Sequence, residues 1–152
     1  MSVLAIDQSL VNSGITIKDN EGSYLNLCIA PKKLRGVVRL QYIRNELREL
    51  IEKYDIKTVV MEGYSYGSRG ATFDMGELGG VIKVMTLDMD LRLFIVAPTA
   101  LKKFVTGKGN CKKDLMLLKI YKRWGIEFTN DNIADSYALM KYCEVNYEGN
   151  KV

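Results

Sequence analysis

The chain has no histidine. This excludes histidine-based nucleophilic triads and histidine-ligated zinc, and leaves carboxylates as the groups available for chemistry. The three cysteines, Cys28, Cys111 and Cys143, are far apart, odd in number and include no CxxC pair. They offer neither a zinc knuckle nor a disulfide framework, and free thiols fit a reducing cytoplasm. No stretch is long enough to cross a bilayer, and the N-terminus lacks the basic region and apolar run of a signal peptide. No repeat, low-complexity tract or interdomain linker interrupts the sequence. With 152 residues and 47% hydrophobic content, a single domain over 1–152 with a proper core is expected.

What is present is unevenly charged. The chain carries 22 basic and 18 acidic residues, a net charge of +4. Between Leu101 and Arg123 stand Lys102, Lys103, Lys108, Lys112, Lys113, Lys119, Lys122 and Arg123 against the lone acid Asp114, so that segment carries +7 and the remainder −3. Such polarity suits a polyanionic partner.

Met1 to Ile17 organises the rest. Val3 to Ile6 is continuously apolar, as in a strand buried on both faces, and it ends in Asp7. Ser13–Ile17 and Tyr24–Ala30 read as further strands, making a three-stranded antiparallel meander. After Pro31 the period changes. Leu40, Ile43, Leu47, Leu50, Ile51 and Tyr54 fall on one face of a helix that Asp55 ends. Thr58–Met61 is a fourth strand, ending in Glu62. A strand after a helix after a strand implies a parallel crossover. Asp7 and Glu62 would then be neighbours on one sheet edge, if strands one and four pair.

Gly63–Gly70 is a loop carrying Tyr64, Tyr66 and Arg69. Thr72–Asp88 reads as a helix despite Gly76, Gly79 and Gly80, each costing roughly 1 kcal/mol relative to alanine. Glycines clustered on a helix indicate close approach of another backbone, either the protein's own sheet or a second copy. Leu93–Val96 is a fifth strand, and Pro98 opens a short helix to about Phe104. VTGKGN, Val105–Asn110, lacks P-loop spacing, but its glycines permit an anion to come close. The helix from about Lys112 to Trp124 presents Lys112, Lys119 and Arg123 on one face, which reads as phosphate contact. The last helix begins near Thr129 or Asn130. Asp131 in its first turn suits the helix dipole. Asp135 sits deeper among Ala134, Ala138 and Leu139, where a carboxylate is costly unless paired or ligating a metal.

The expected fold is therefore α/β: a five-stranded mixed sheet, the meander plus parallel strands, flanked by helices. Its carboxylates lie on the first strand, the fourth strand and the last helix. Oxygen ligands so arranged suit Mg²⁺ or Mn²⁺, and two such ions can activate water for phosphodiester cleavage.

This layout resembles the RuvC family of Holliday-junction resolvases within the RNase H-like superfold, in particular its short bacteriophage members. LAIDQSLVNSGI (Leu4–Ile15) is similar to the family's first motif and implies Asp7 as a metal ligand. VVMEGYSYG (Val59–Gly67) is similar to the second and implies Glu62. MGELGGVI (Met75–Ile82) resembles the dimer-forming helix, which would put Gly76, Gly79 and Gly80 in a homodimer interface. KKFVTGKGNCKKDLM (Lys102–Met116) resembles the basic segment that holds DNA phosphates, with Lys113 matching the active-site lysine and Lys102, Lys103, Lys108, Lys112 and Lys119 as DNA contacts. NIADSYAL (Asn132–Leu139) is similar to the last motif and implies Asp135. The bacterial pattern has another Asp three residues earlier, where this chain has Asn132. Asp131 or the Asn132 carbonyl oxygen would supply the fourth ligand. Tyr64 and Tyr66 are the rings available to enter an opened junction, with Arg69 beside them.

The resemblance implies a homodimeric endodeoxyribonuclease, using two Mg²⁺ per site with Mn²⁺ able to substitute, that nicks four-way junctions and other branched DNA. No organic cofactor and no membrane partner are expected, and the location is cytoplasmic, in the host cell if phage-encoded. The other readings are a branched-DNA binder with little or no cleavage and a ribonuclease H acting on RNA–DNA hybrids.

Overall fold

A computed structural model of the chain describes residues 1–64 and 72–148. Its core is one five-stranded sheet: β1 (Val3–Asp7), β2 (Ser13–Lys18), β3 (Tyr24–Ile29), β4 (Thr58–Glu62) and β5 (Arg92–Val96), in the order β3-β2-β1-β4-β5. β1, β2 and β3 form the antiparallel meander, while β4 and β5 run parallel to β1. This is the expected mixed sheet.

Alternation of side chains along β1 and β4 divides the interior in two. Leu4, Ile6, Val59 and Met61 face α1 (Gly36–Lys53) and α2 (Thr72–Asp88), meeting Ile43, Leu47, Leu78 and Ile82. Val3, Ala5 and Val60 face α3 (Pro98–Thr106), α4 (Lys113–Trp124) and α5 (Asp131–Cys143), meeting Leu101, Ile120, Ala134 and Leu139. Every residue of β1 is buried, as its unbroken apolar run requires. Asp7 continues the Val3–Ala5 row and Glu62 continues from Val60, so both acids emerge on the side of α5.

Helix ends depart from the sequence reading where capping decides them. α3 runs on to Thr106 and stops at left-handed Gly107, whose N–H returns to the Lys103 carbonyl at 2.9 Å. Gly107 therefore terminates a helix. Asn130 caps α5, its side chain accepting from the Ile133 N–H at 3.1 Å. A π-helical turn, Glu144–Glu148, follows α5, and Tyr147 stacks on Phe94 of β5 with ring centroids 4.0 Å apart.

The three glycines of α2 do different things. A Cβ at Gly79 would collide with the ring of Tyr64, whereas Gly76 and Gly80 face open space. Gly79 is thus packed within the chain and leaves the interface expected for it. Phe73, Val84 and Leu87, on the same open side, are 88%, 59% and 77% exposed.

Candidate active site

The register fixes the first two acids. Ile6 pairs with Met61 in the parallel β1–β4 ladder, so Asp7 and Glu62 lie level, one residue beyond, at the C-terminal edge of the sheet. Asp7 also pairs with Gly14, and Gly14 with Cys28, bringing β2 and β3 to the same edge. α5 crosses this edge with its N-terminal turn foremost and delivers Asp135. Asp7, Glu62, Asp131, Asn132, Asp135, Lys102 and Lys113 line one cleft, floored by Leu101, Met116 and Leu117.

Burial and mutual repulsion raise all three acids above the ordinary carboxylate range. Burial first, then the charges of Glu62 and Asp135, push the Asp7 carboxyl up to about 8, against the opposing pull of Lys113. Burial and Asp135 push Glu62 up to about 7, with Lys102 opposing. Asp135 rises to about 6, chiefly by burial, while Lys113 and Lys102 oppose and Asp131 adds to the rise. Lys113 opens α4 and pairs with Asp131 at 3.3 Å (Nζ to Oδ2) on the rim.

Hard oxygen donors that raise one another's pKa are what a divalent cation relieves. Among the described residues no three acids or thiols already close on a single point, so the carboxyls would turn inward to ligate. The donor set fits Mg²⁺ or Mn²⁺ and offers no nitrogen or thiolate cluster to a softer metal.

The structure distributes the remaining expected residues unevenly. Lys103, Lys108 and Lys112 are exposed and Lys119 half-buried, all outside the cleft lining. Arg123, read as part of a phosphate-binding face, is occupied elsewhere. Its guanidinium lies 4.5 Å from the Phe104 ring centroid and 4.9 Å from that of Trp124, and it donates to the Phe104 carbonyl at 2.6 Å. Tyr64 lies against Gly79 of α2, with Lys83 over its ring at 4.6 Å. The residue is 43% exposed there. Tyr66 and Arg69 lie outside the described residues.

Sequence reading missed one basic element. β3 runs parallel to β1 and ends level with Asp7, so the turn after it leaves from the cleft's edge of the sheet. That turn carries exposed Lys32, Lys33 and Arg35. The PKKLRG run was the available signal, but only the register reveals which edge it occupies.

The family model for "Crossover junction endodeoxyribonuclease RuvC" matches residues 3–140. A curated protein of that description from Rickettsia bellii is 28% identical over 155 residues, covering 95% of this chain and 98% of the relative. One from Chlamydia muridarum is 29% identical over 106 residues, covering 66% of this chain and 62% of the relative. Among solved structures, Thermus thermophilus RuvC in complex with Holliday junction substrate superposes with a TM-score of 0.74 at 16% identity, covering 91% of this chain and 90% of that one. No described helix is long and apolar enough to cross a membrane.

Proposed function

Because this chain belongs to the RuvC family, we propose that it is a junction-resolving endodeoxyribonuclease: it nicks four-way junctions and other branched DNA by phosphodiester hydrolysis. The observation that carries the reading is the convergence of Asp7, Glu62 and Asp135 from β1, β4 and α5 on one basic-rimmed cleft. Domain 1–152 acts as a single nuclease unit.

Asp7, Glu62 and Asp135, with Asp131 at the rim, would hold two Mg²⁺ ions (or Mn²⁺ in their place). When bound, such ions activate water and neutralise charge on the attacked phosphate and the leaving oxygen. The chain's own groups do the rest. The apolar floor of Leu101, Met116 and Leu117 limits access of bulk water and strengthens every electrostatic contact above it. Lys113 and Lys102 stand where negative charge grows on the scissile phosphate and neutralise it. Lys103, Lys108, Lys112 and Lys119 grip the backbone on one side of the cleft, while Lys32, Lys33 and Arg35 extend the basic track along the edge.

The active form is a homodimer whose copies meet through α2. Its open side presents Phe73, Gly76, Gly80, Val84 and Leu87, a stripe with helical spacing whose three large side chains are more than half exposed. Two-fold symmetry then supplies two clefts, one for each of two opposed strands.

Cleavage of a labelled, immobile four-way junction in Mg²⁺, Mn²⁺ and EDTA tests the reading, with duplex and RNA–DNA hybrid as controls. Paired, metal-dependent nicks near the branch point are expected. Cleavage of the hybrid instead would make the protein a ribonuclease H. Salt-sensitive junction binding without cleavage in either metal would make it a branched-DNA binder.

A further inference from the structure

Asn132 stands where the family pattern has an aspartate, and it lines the cleft, yet its amide is already engaged. Nδ2 donates to the backbone carbonyl of Asn12 at 2.6 Å. Chemistry fixes the orientation of the amide, because a carbonyl has no proton to give and only the nitrogen can face it. A carboxylate at this position could not form the bond and would set a negative charge against a carbonyl dipole.

The carbonyl that receives this bond is firmly held. Ser13 Oγ donates to the Ser9 carbonyl at 2.7 Å and accepts from the Ser9 N–H at 3.0 Å. Ser9 Oγ accepts from the N–H groups of Val11 and Asn12, each at 3.2 Å. The Asn12 side chain lies beside the Cys28 thiol on β3. The β1–β2 turn is thus braced from within. On its far side, Gly14 lets the backbone of α5 lie directly on β2: a Cβ there would overlap the Asn132 carbonyl and press on the Ile133 nitrogen. With Asn130 capping the same turn, the segment bearing Asp131 and Asp135 is clamped against the strand that pairs with β1 at Asp7.

We propose that Asn132 is a positioning residue and not a metal ligand: it latches the first turn of α5 to the β1–β2 turn, and so sets Asp131 and Asp135 over Asp7. The clasp needs a neutral donor, which is why an amide occupies the position. What it positions rests on the nuclease reading above; that the clasp exists does not.

The test uses the full chain without DNA, with Mg²⁺ and Mn²⁺ as probes. Amide hydrogen exchange is followed in EDTA, and cation affinity by titration calorimetry, for wild type, Asn132→Asp and Asn132→Ala. Both variants are expected to exchange at least tenfold faster over residues 11–14 and 131–136, with protection of β4 and β5 unchanged. Both are expected to bind Mg²⁺ at least threefold more weakly, Asn132→Asp included despite its added negative charge. Gly14→Ala, which alters no ligand, should weaken binding in the same way. If Asn132→Asp binds Mg²⁺ as well as or better than wild type, the positioning role is overturned, and tighter binding makes position 132 a ligand. Unchanged exchange in both variants would overturn the clasp itself. A wild-type protein that binds neither cation would bring down the nuclease reading and the positioning role with it, while exchange in EDTA still reports on the clasp.

Discussion

Replacing Asp7 with asparagine should stabilise the metal-free protein, and by an amount that grows with pH. The carboxyl titrates near 8 in the folded chain against 3.8 as a model group, so between those values the folded state holds a proton that the unfolded state has released. Stability therefore falls as pH rises through this window, and the loss is complete above the folded value. At ~1.4 kcal/mol per pH unit, the span from 3.8 to about 8 sets a ceiling of roughly 6 kcal/mol. The cleft is open at its rim, so carboxyl rotation and entering water reduce this. We expect Asp7→Asn to exceed wild type by about 2–3 kcal/mol at pH 8 and by about 1 kcal/mol at pH 5. For a chain of this size that is a rise in Tm of about 5–10 °C at pH 8, read by calorimetric melting in EDTA. Mg²⁺ added at pH 8 should raise the wild-type Tm and leave the variant nearly unmoved, narrowing the gap. A gap that does not change with pH, or a variant less stable than wild type at pH 8 in EDTA, would refute the reasoning.

Other outcomes follow from the same geometry. Glu62→Gln and Asp135→Asn should each lower junction cleavage by about 10³-fold or more, while electrophoretic binding of the junction in EDTA stays intact. Leu87 is 77% exposed on α2, so Leu87→Glu should leave the fold untouched yet convert dimer to monomer in sedimentation velocity and abolish paired nicking. Replacing Lys32, Lys33 and Arg35 together with alanine should reduce the slope of log affinity against log salt by about 2–3, since each phosphate left without its cation lowers that slope by about 0.9. Ile43, fully buried on the sheet-facing side of α1, should cost about 2–5 kcal/mol on truncation to alanine in a urea melt.

Much of the fold and site was legible in the sequence, because the decisive signals are short-range. An unbroken apolar run closed by one acid, twice, identifies two central strands and the level at which Asp7 and Glu62 leave the sheet. Asp135 was legible because an ionisable group among alanines and leucine needs a reason. What stayed hidden depends on residues distant in sequence. Gly79 and its neighbours Gly76 and Gly80 look equivalent along the helix, and only the ring of Tyr64 tells them apart. Arg123 reads as one more cation on a basic helix, and its engagement by Phe104 and Trp124 cannot be inferred from spacing. The amide of Asn132 reads as a weakened ligand until Asn12, 120 residues away in sequence, appears beside it.

The site also explains why the acids sit at strand ends. Three carboxyls that burial and mutual repulsion hold toward the neutral form are a standing cost to the folded chain. A loop would relieve that cost by moving them apart into water, and the electrostatic tension that draws a cation would vanish. β1 cannot yield in this way. It is hydrogen-bonded on both edges, to β2 and β4, and buried on both faces, so moving Asp7 would disturb two cores at once. α5 is fixed by a different means, since a helix end is free to fray. Its apolar face is anchored by Ala134, Ala138 and Leu139, and the buried hydroxyls of Thr16 and Ser136 meet at 2.9 Å. These contacts fix the middle of the helix, Asp135 included, but not its first turn, where Asp131 stands. That turn is where the Asn132 amide and the bare backbone of Gly14 act. The rigid strand and the clasped helix end are thus two answers to one requirement, which is to keep like charges together until a cation arrives.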